Sequence, residues 1–294
     1  MGNGGWRLSA FGDEISDNLS EQLQLLQQLE IGFLELRGVW GKNVLLLTDD
    51  EVATVAKLCD NYGIAVSAIG SPVGKTPITE PLADELTNLG RIFAIADQLG
   101  TRMVRVFSFY PPAQPDSTWD EEALVEEASR RLAAMTEAAT VNGIELVLEN
   151  ESGIVGDTVA RCQRLLEAVN SPQLGFAWDP ANFVHVGETS SVTDGWAALG
   201  PRTRHVHIKD MRAVTGEVLP AGEGDGQIDL LLQRLDEAHY AGFLALEPHL
   251  AFAGPRSGFS GTEGMQRAAT VLRGLMTRLG LREQRPAWGK GVQA

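Results

Sequence analysis

Only two cysteines, Cys59 and Cys162, occur in the 294 residues, so a disulfide framework is excluded. Each falls inside a helical pattern far from the other, which makes a reducing cytosol the expected setting and a cytoplasmic protein the expected kind. Long hydrophobic runs are missing too. No uninterrupted stretch of about 18 apolar residues is present, so no membrane-spanning helix is expected. The opening Met1-Gly-Asn-Gly-Gly-Trp6 has no apolar segment behind basic residues, hence no expected signal peptide. Positive charge is scarce: 24 Lys and Arg stand against 39 Asp and Glu, a net charge of −15. A surface that negative repels phosphate backbones and anionic lipid, which argues against nucleic acid or membrane as partner. It also favours the approach of a divalent cation.

A hydrophobic content of 44% can fill a sizeable core. Short β-rich runs at 6–12, 33–39, 65–71, 103–110, 145–151, 174–180, 204–210 and 242–249 alternate with helical patterns near 18–30, 49–61, 80–99, 119–141, 157–169, 190–199, 227–240 and 262–280. In the fourth pattern Leu124, Ala128, Leu132, Met135 and Ala139 recur at helical spacing. Asp49 and Asp157 stand where N-caps are expected, and Gly63, Gly100 and Gly143 where helices should stop. Eight strands in strict alternation with eight helices predict a single (β/α)8 TIM barrel of the α/β class. An open sheet would need a phosphate-binding glycine turn after the first strand, but Phe11-Gly-Asp-Glu-Ile15 is acidic there. No linker divides the chain. One barrel is expected over residues 1–281, followed by a mobile C-terminal tail, 282–294. Trp288 in that tail offers a docking group for a neighbouring subunit, so a homo-oligomer is compatible with the sequence.

Four apolar runs end in potential metal ligands: Glu149, Asp179, His207 and Glu247, spaced by 30, 28 and 40 residues. One strand–helix unit takes about 30 residues, so each unit carries one ligand. Side chains alternate along a strand, and one parity choice in each points all four into the barrel mouth. A single carboxylate at a strand end is ordinarily a solvated cap or half of an ion pair. Three brought together with an imidazole need a counter-charge, which a divalent cation supplies. This oxygen-rich set suits Mn2+ best, with Mg2+ or Co2+ also acceptable, whereas zinc prefers nitrogen and sulfur donors. About two octahedral positions remain for adjacent oxygens of a hydroxy-ketone.

Phe11-Gly-Asp-Glu-Ile15, Glu35-Leu-Arg37, Leu148-Glu149-Asn150, Trp178-Asp179-Pro-Ala-Asn182, His205-Val-His-Ile-Lys-Asp210, Gly222-Glu-Gly224 and Leu246-Glu247-Pro-His249 together resemble the xylose-isomerase-like sugar isomerase and epimerase superfamily. Ketose 3-epimerases, hydroxypyruvate isomerase, inosose dehydratase and a branch of AP endonucleases belong to it. The resemblance spans nearly the whole chain. It implies that Glu149, Asp179, His207 and Glu247 hold one metal ion, and that Glu149 and Glu247 also serve as catalytic acid and base. One departure stands out: Asn182 occupies a position where the family often has histidine, which weakens a multi-metal phosphodiesterase reading. Asn182 and, further on, His185 are candidate substrate contacts.

Other residues divide between chemistry and packing. His205, two residues deeper than His207, reads as a buried, hydrogen-bonded core histidine. Lys209 and His249 lie just above ligands and are candidates for substrate contact or ion pairing. Glu35 is expected either to pair with Arg37 or to touch substrate. Lys75 can reach over the site from the third loop. Arg105 falls in strand four on a side the pattern leaves open, and Trp178 has the parity to pack against a helix. Gly222-Glu-Gly-Asp-Gly226 resembles a phosphate cradle, but Glu223 and Asp225 oppose an anion, so a hinge or lid is expected and the substrate is read as unphosphorylated.

The expected function is therefore a divalent-metal-dependent isomerase or epimerase of a small sugar or keto-polyol, working by proton abstraction alpha to a carbonyl through a metal-stabilised enediolate. A lyase or dehydratase acting on a keto-sugar or keto-glycoside is the alternative at the same site. A repair endonuclease would want a basic groove and more histidine ligands, and a non-enzymatic sugar or metal sensor is the remaining rival.

Overall fold

The parallel strands, covered on both faces, here close on themselves and leave no edge. A computed structural model describes residues 5–113, 119–253 and 258–287. Its barrel strands are β1 (Arg7–Phe11), β2 (Phe33–Leu36), β3 (Ala65–Ile69), β4 (Met103–Val106), β5 (Glu145–Glu149), β6 (Leu174–Trp178), β7 (Thr203–Ile208) and β8 (Phe243–Leu246). Each pairs in parallel with the next, and β8 returns to β1 with Ser9 opposite Ala245. The (β/α)8 barrel expected from the alternation is the fold observed.

The helices are α1 (Leu19–Gln28), α2 (Asp49–Tyr62), α3 (Leu82–Gln98), α4 (Glu121–Asn142), α5 (Val159–Val169), α6 (Pro180–His185), α7 (Ser191–Leu199), α8 (Ile228–Glu237) and α9 (Gly261–Arg278). Helix starts differ by one residue from expectation. Thr48, not Asp49, caps α2 in a reciprocal capping box with Glu51, and Thr158, not Asp157, caps α5. A hydroxyl that must reach back to a backbone N–H needs extended dihedrals, which both threonines have. Gly63 and Gly143 end their helices in the left-handed region, as expected. The short α6 was not expected. Asp179 caps it by accepting from the Asn182 N–H at 3.0 Å, and Pro180 fills its first turn.

Strand parity divides core from interior. Phe176 and Trp178 on β6 face outward, where Trp178 meets Phe183 of α6 and Trp196 of α7. The opposite parity fills the barrel in tiers. At the base, Arg7 stacks on Phe243 at 4.1 Å. In the middle, Ser9 and Ser67 share a hydrogen bond of 2.6 Å, and His205 on β7 meets Glu35 on β2 across the barrel at 2.6 Å. The top tier carries the ligand candidates.

Two loops depart from their sequence readings. The glycine-rich segment after β7 does bind an anion through its amides, but the anion is the chain's own. Asp210 accepts N–H bonds from Met211, Gly222, Gly224 and Gly226, all between 2.9 and 3.0 Å. A Cβ at Gly224 would sit 2.4 Å from Asp210 Oδ1, which explains the glycine. The segment expected as a hinge or lid is thus tied to the end of β7. In the segment expected as a mobile tail, residues 282–284 are bonded to the barrel. Trp6 N–H donates to Arg282 O at 2.9 Å, Gln284 N–H donates to Trp6 O at 2.8 Å, and Arg273 grips Glu283. Trp288 lies outside the described residues. Cys59 and Cys162 are both buried and unbridged, and among the described residues no helix is long and apolar enough to cross a membrane.

Asp210→Ala strands four N–H donors at once, two buried and two part-buried, so a stability loss of about 3 kcal/mol is expected. Chemical denaturation checks this, with Asp210→Asn, which keeps one acceptor oxygen, losing less. An unchanged midpoint for Asp210→Ala would show that the amides do not depend on this carboxylate.

Candidate metal and substrate site

The ends of β5, β6, β7 and β8 bring Glu149, Asp179, His207 and Glu247 together, exposed by 2%, 0%, 0% and 4%. One ligand atom from each lies within 4.8 Å of the others. Glu149 Oε2, Asp179 Oδ2 and Glu247 Oε2 lack an aligned hydrogen-bond donor, although Arg105 Nη1 and Lys209 Nζ stand 3.1 and 2.6 Å from the first two. Three buried carboxylate oxygens left without donors, beside an imidazole nitrogen, form the donor set of a hard divalent cation. The residues fit a metal ion.

A second tier orients this set. His207 Nδ1 is 2.8 Å from Glu149 Oε1 and 3.5 Å from Glu247 Oε2, so Nδ1 is the nitrogen that faces the carboxylates. Its Nε2 faces Glu35 Oε1 at 3.4 Å. A carboxylate behind a ligating imidazole fixes its tautomer and orientation. Glu35 therefore corrects both expectations held for it: it neither pairs with Arg37 nor reaches the pocket, being fully buried between His205 and His207. Residues two apart on one strand face are about 6.6 Å apart along it, so Glu35 and Arg37 lie in different tiers. Arg37 instead binds Asp13 at 2.8 Å, Glu247 Oε1 at 2.6 Å and Glu14 at 3.3 Å.

Burial opposes charge on all of these groups. At Asp179 burial prevails over Lys209, and with Glu247 and Glu149 adding repulsion its pKa is pushed up to about 6. For Glu247, burial is outweighed by Lys209, His249 and His207, which hold the carboxyl well below its usual range. At His207 burial is again outweighed, by Glu149 and Glu35, and the imidazole is held protonated well above its ordinary pKa. Lys209, Arg37, Arg105 and the imidazole of His207 are the positive groups set against these carboxylates.

The quartet opens onto a cavity of about 580 Å³. Five of the six expected substrate contacts, Lys75, Asn182, His185, Lys209 and His249, line it, and Glu35 does not. Lys75 binds Glu151 at 2.8 Å and stands over the Phe107 ring. His249, in the left-handed region at φ 46°, places Nε2 2.8 Å from Glu14 and 3.4 Å from Glu247. Asn182 donates to Asn150 O at 2.9 Å, and Asn150 exchanges two hydrogen bonds with the Asp179 backbone. His185 is exposed at the end of α6. Sequence reasoning did not assign Asp13, Glu14, Asn150 or Glu151. The acidic Asp-Glu pair directly after β1 was the available signal for the first two. A further cleft of about 440 Å³, lined by Arg7, Glu145, Arg204 and Tyr240 among others, lies at the opposite end of the barrel and has no comparable ligand set.

The chain matches the model of the xylose isomerase-like TIM barrel family over residues 23–274 and belongs to that family. An uncharacterised protein of Methanocaldococcus jannaschii is 27% identical over 119 residues, which are 40% of this chain and 41% of that protein, so the match spans less than half of the relative's length. Among solved structures, a D-tagatose 3-epimerase-like protein aligns with a TM-score of 0.74 at 17% identity, over 93% of this chain and 98% of the other. The IOLI protein, solved with a bound zinc atom, aligns at 0.74 with 18% identity, over 92% and 98% of the two chains. Likeness at these identities is a likeness of fold.

His207 must lose its proton before Nδ1 can bind a metal, so at pH 7 Mn2+ uptake is expected to release about one proton. Affinity should then climb as pH rises from 6 to 8, since both a neutral His207 and an ionised Asp179 favour the ion. Calorimetry in buffers of unlike ionisation heat checks this, and uptake without proton release would remove His207 from the ligand set.

Proposed function

We propose that this protein is a divalent-metal-dependent isomerase or epimerase of a small sugar or keto-polyol. The observation that carries the reading is the buried Glu149–Asp179–His207–Glu247 quartet, of which Glu149 and Glu247 line a cavity of about 580 Å³. Membership in the xylose isomerase-like family supports it. Oxygen-rich ligation favours Mn2+, then Mg2+ or Co2+; the zinc held by the IOLI protein puts zinc into any metal comparison. When bound, the ion supplies Lewis-acid polarisation of a carbonyl and its neighbouring hydroxyl.

The side chains supply the rest. Glu149 from β5 and Glu247 from β8 stand at separate strand ends, so one carboxylate can take the carbon-bound proton and the other can return one. Return at the same carbon's other face epimerises, and return at the adjacent carbon isomerises. Arg37 and His249 both hold Glu247 Oε1, leaving Oε2 directed to the centre. Lys209, 2.6 Å from Asp179, can donate to a substrate oxygen from the cavity wall. Asn182, His185 and Lys75 provide neutral and cationic donors for hydroxyls further out. A net charge of −15 and the Asp210-filled amide nest both favour an unphosphorylated substrate over an anionic polymer. The reading places the protein in the cytoplasm, with a small carbohydrate as its partner.

Incubation of Mn2+-loaded protein with ketoses, aldoses and keto-glycosides in D2O, read by NMR, should show deuterium entering at one carbon. Chelation should abolish exchange and Mn2+ should restore it. Glu149→Gln and Glu247→Gln should each slow it by about 10²–10⁴-fold. Full exchange in the chelated protein sinks the proposal, whereas an enone absorbance without retained deuterium would turn it toward the dehydratase or lyase chemistry.

A further inference from the structure

Two arginines reach the cavity, and they are satisfied very differently. In Arg37 each guanidinium nitrogen meets a carboxylate: Nε meets Asp13, Nη1 meets Glu247 and Nη2 meets Glu14. The protein itself neutralises that cation. Arg105 has one carboxylate only, Glu149 Oε2 at 3.1 Å, and that contact is not aligned as a hydrogen bond. Its Nη2 donates to Gly70 O at 3.1 Å and more weakly to Ser71 O at 3.5 Å, while Nε has no partner at all. The side chain is 5% exposed and its guanidinium lies 5.3 and 4.8 Å from the ring centres of Phe11 and Phe107.

A buried guanidinium with unused N–H groups is costly unless something else accepts from it. Carbonyls and rings fix the position of this one, so it needs little rearrangement to meet a new acceptor. Its single carboxylate partner is also a ligand candidate, and an oxygen shared with a metal ion has less charge to offer a second cation.

Resting on the isomerase reading, we propose that Arg105 is a catalytic residue that binds the oxyanion formed during proton abstraction. In that step the C–H bond breaks, its proton passes to a glutamate carboxylate, and its electron pair moves into the C–C bond. The carbonyl π pair moves onto oxygen, which becomes the enediolate oxyanion and accepts an N–H bond from Arg105. Reprotonation reverses the flow, so no electron or co-reactant is consumed. The charge is greatest only after the proton has left, so such a donor acts on kcat more than on KM. Phe11, under both arginines and edge-on to His207 at 5.1 Å, fixes their spacing from the centre.

Oxalate, a planar dianion with two adjacent oxygens, serves as the enediolate probe in calorimetry on Mn2+-loaded wild type, Arg105→Gln and Arg105→Lys. Loss of this donor should weaken oxalate by at least about tenfold in Arg105→Gln, with Mn2+ affinity within about threefold of wild type. Arg105→Lys, which keeps the charge, guards against a misfolded glutamine variant. It should also lose oxalate affinity, because one ammonium cannot hold Gly70 O and a ligand oxygen in the same fork. Deuterium exchange should drop about 10²–10³-fold in kcat for Arg105→Gln, and added guanidinium should partly restore it in Arg105→Ala. Unchanged oxalate binding, a parallel fall in Mn2+ affinity, or a wild type that takes Mn2+ but no oxalate would each overturn the assignment. If oxalate binding depends on Arg105 but no sugar exchanges deuterium, the isomerase reading fails and the oxyanion site stands.

Discussion

Three carboxylates cannot share a dry space a few ångströms across unless positive charge joins them. Glu149, Asp179 and Glu247 are all nearly or fully buried, and the rest of the barrel mouth is arranged around that constraint. That positive charge comes from His207, held protonated by Glu149 and Glu35 against burial, from Lys209 between Asp179 and Glu247, from Arg37 on Glu247 Oε1 and from Arg105 beside Glu149 Oε2. Even so, one oxygen of each carboxylate, Glu149 Oε2, Asp179 Oδ2 and Glu247 Oε2, is left without an aligned donor. On the proposed metal-dependent reading, an ion bound only by the folded state would return its binding energy as stability and so offset the cost of collecting these charges.

The barrel makes this arrangement possible by stacking its polar groups in tiers. Glu35 and His205 sit one layer below the ligands, joined across the interior, and Glu35 sets the orientation of His207 from beneath. Asp13, Glu14 and His249 form the corresponding support around Arg37 and Glu247 from the loops after β1 and β8. A buried ionic cluster of this kind is weak evidence for stability, since removing one member exposes the desolvation cost of the others. Its value lies in geometry: Glu35 holds His207 from a tier that does not reach the cavity, whereas Arg37, Arg105, Lys209 and His249 hold the three carboxylates from the cavity wall itself.

The convergence of the four residues was legible because two independent periods agree on it. Alternation along a strand chooses a face, and the 30-residue unit chooses a strand end, so Glu149, Asp179, His207 and Glu247 needed no three-dimensional information. Parity also placed Trp178 outside and His205 inside. It could not say which tier a residue occupies or what lies across the barrel, so Glu35 was paired with its sequence neighbour Arg37 instead of the distant His205. Arg105 was unassigned for a similar reason. Its neighbours Gly70, Phe11 and Glu149 come from three other strand ends, and no local pattern relates them. The glycine-rich loop was misread because the residue that fills it, Asp210, is 12 to 16 positions upstream.

That last contact links scaffold to chemistry. His207, Lys209 and Asp210 lie within four consecutive residues at the end of β7, with His207 and Lys209 on one face and Asp210 turned to the loop. By taking four amides, Asp210 fixes where β7 ends. The same loop contacts α6 through Gly226, which leaves 2.9 Å for a Cβ beside Pro180, and Pro180 follows the ligand Asp179. Two ligand-bearing strand ends are thereby set relative to each other by one carboxylate that never faces the cavity. The amide nest that might have held a substrate phosphate is consumed in doing so. What remains to face the cavity is the polar wall, with Lys75, Asn182, Lys209 and His249 among its side chains.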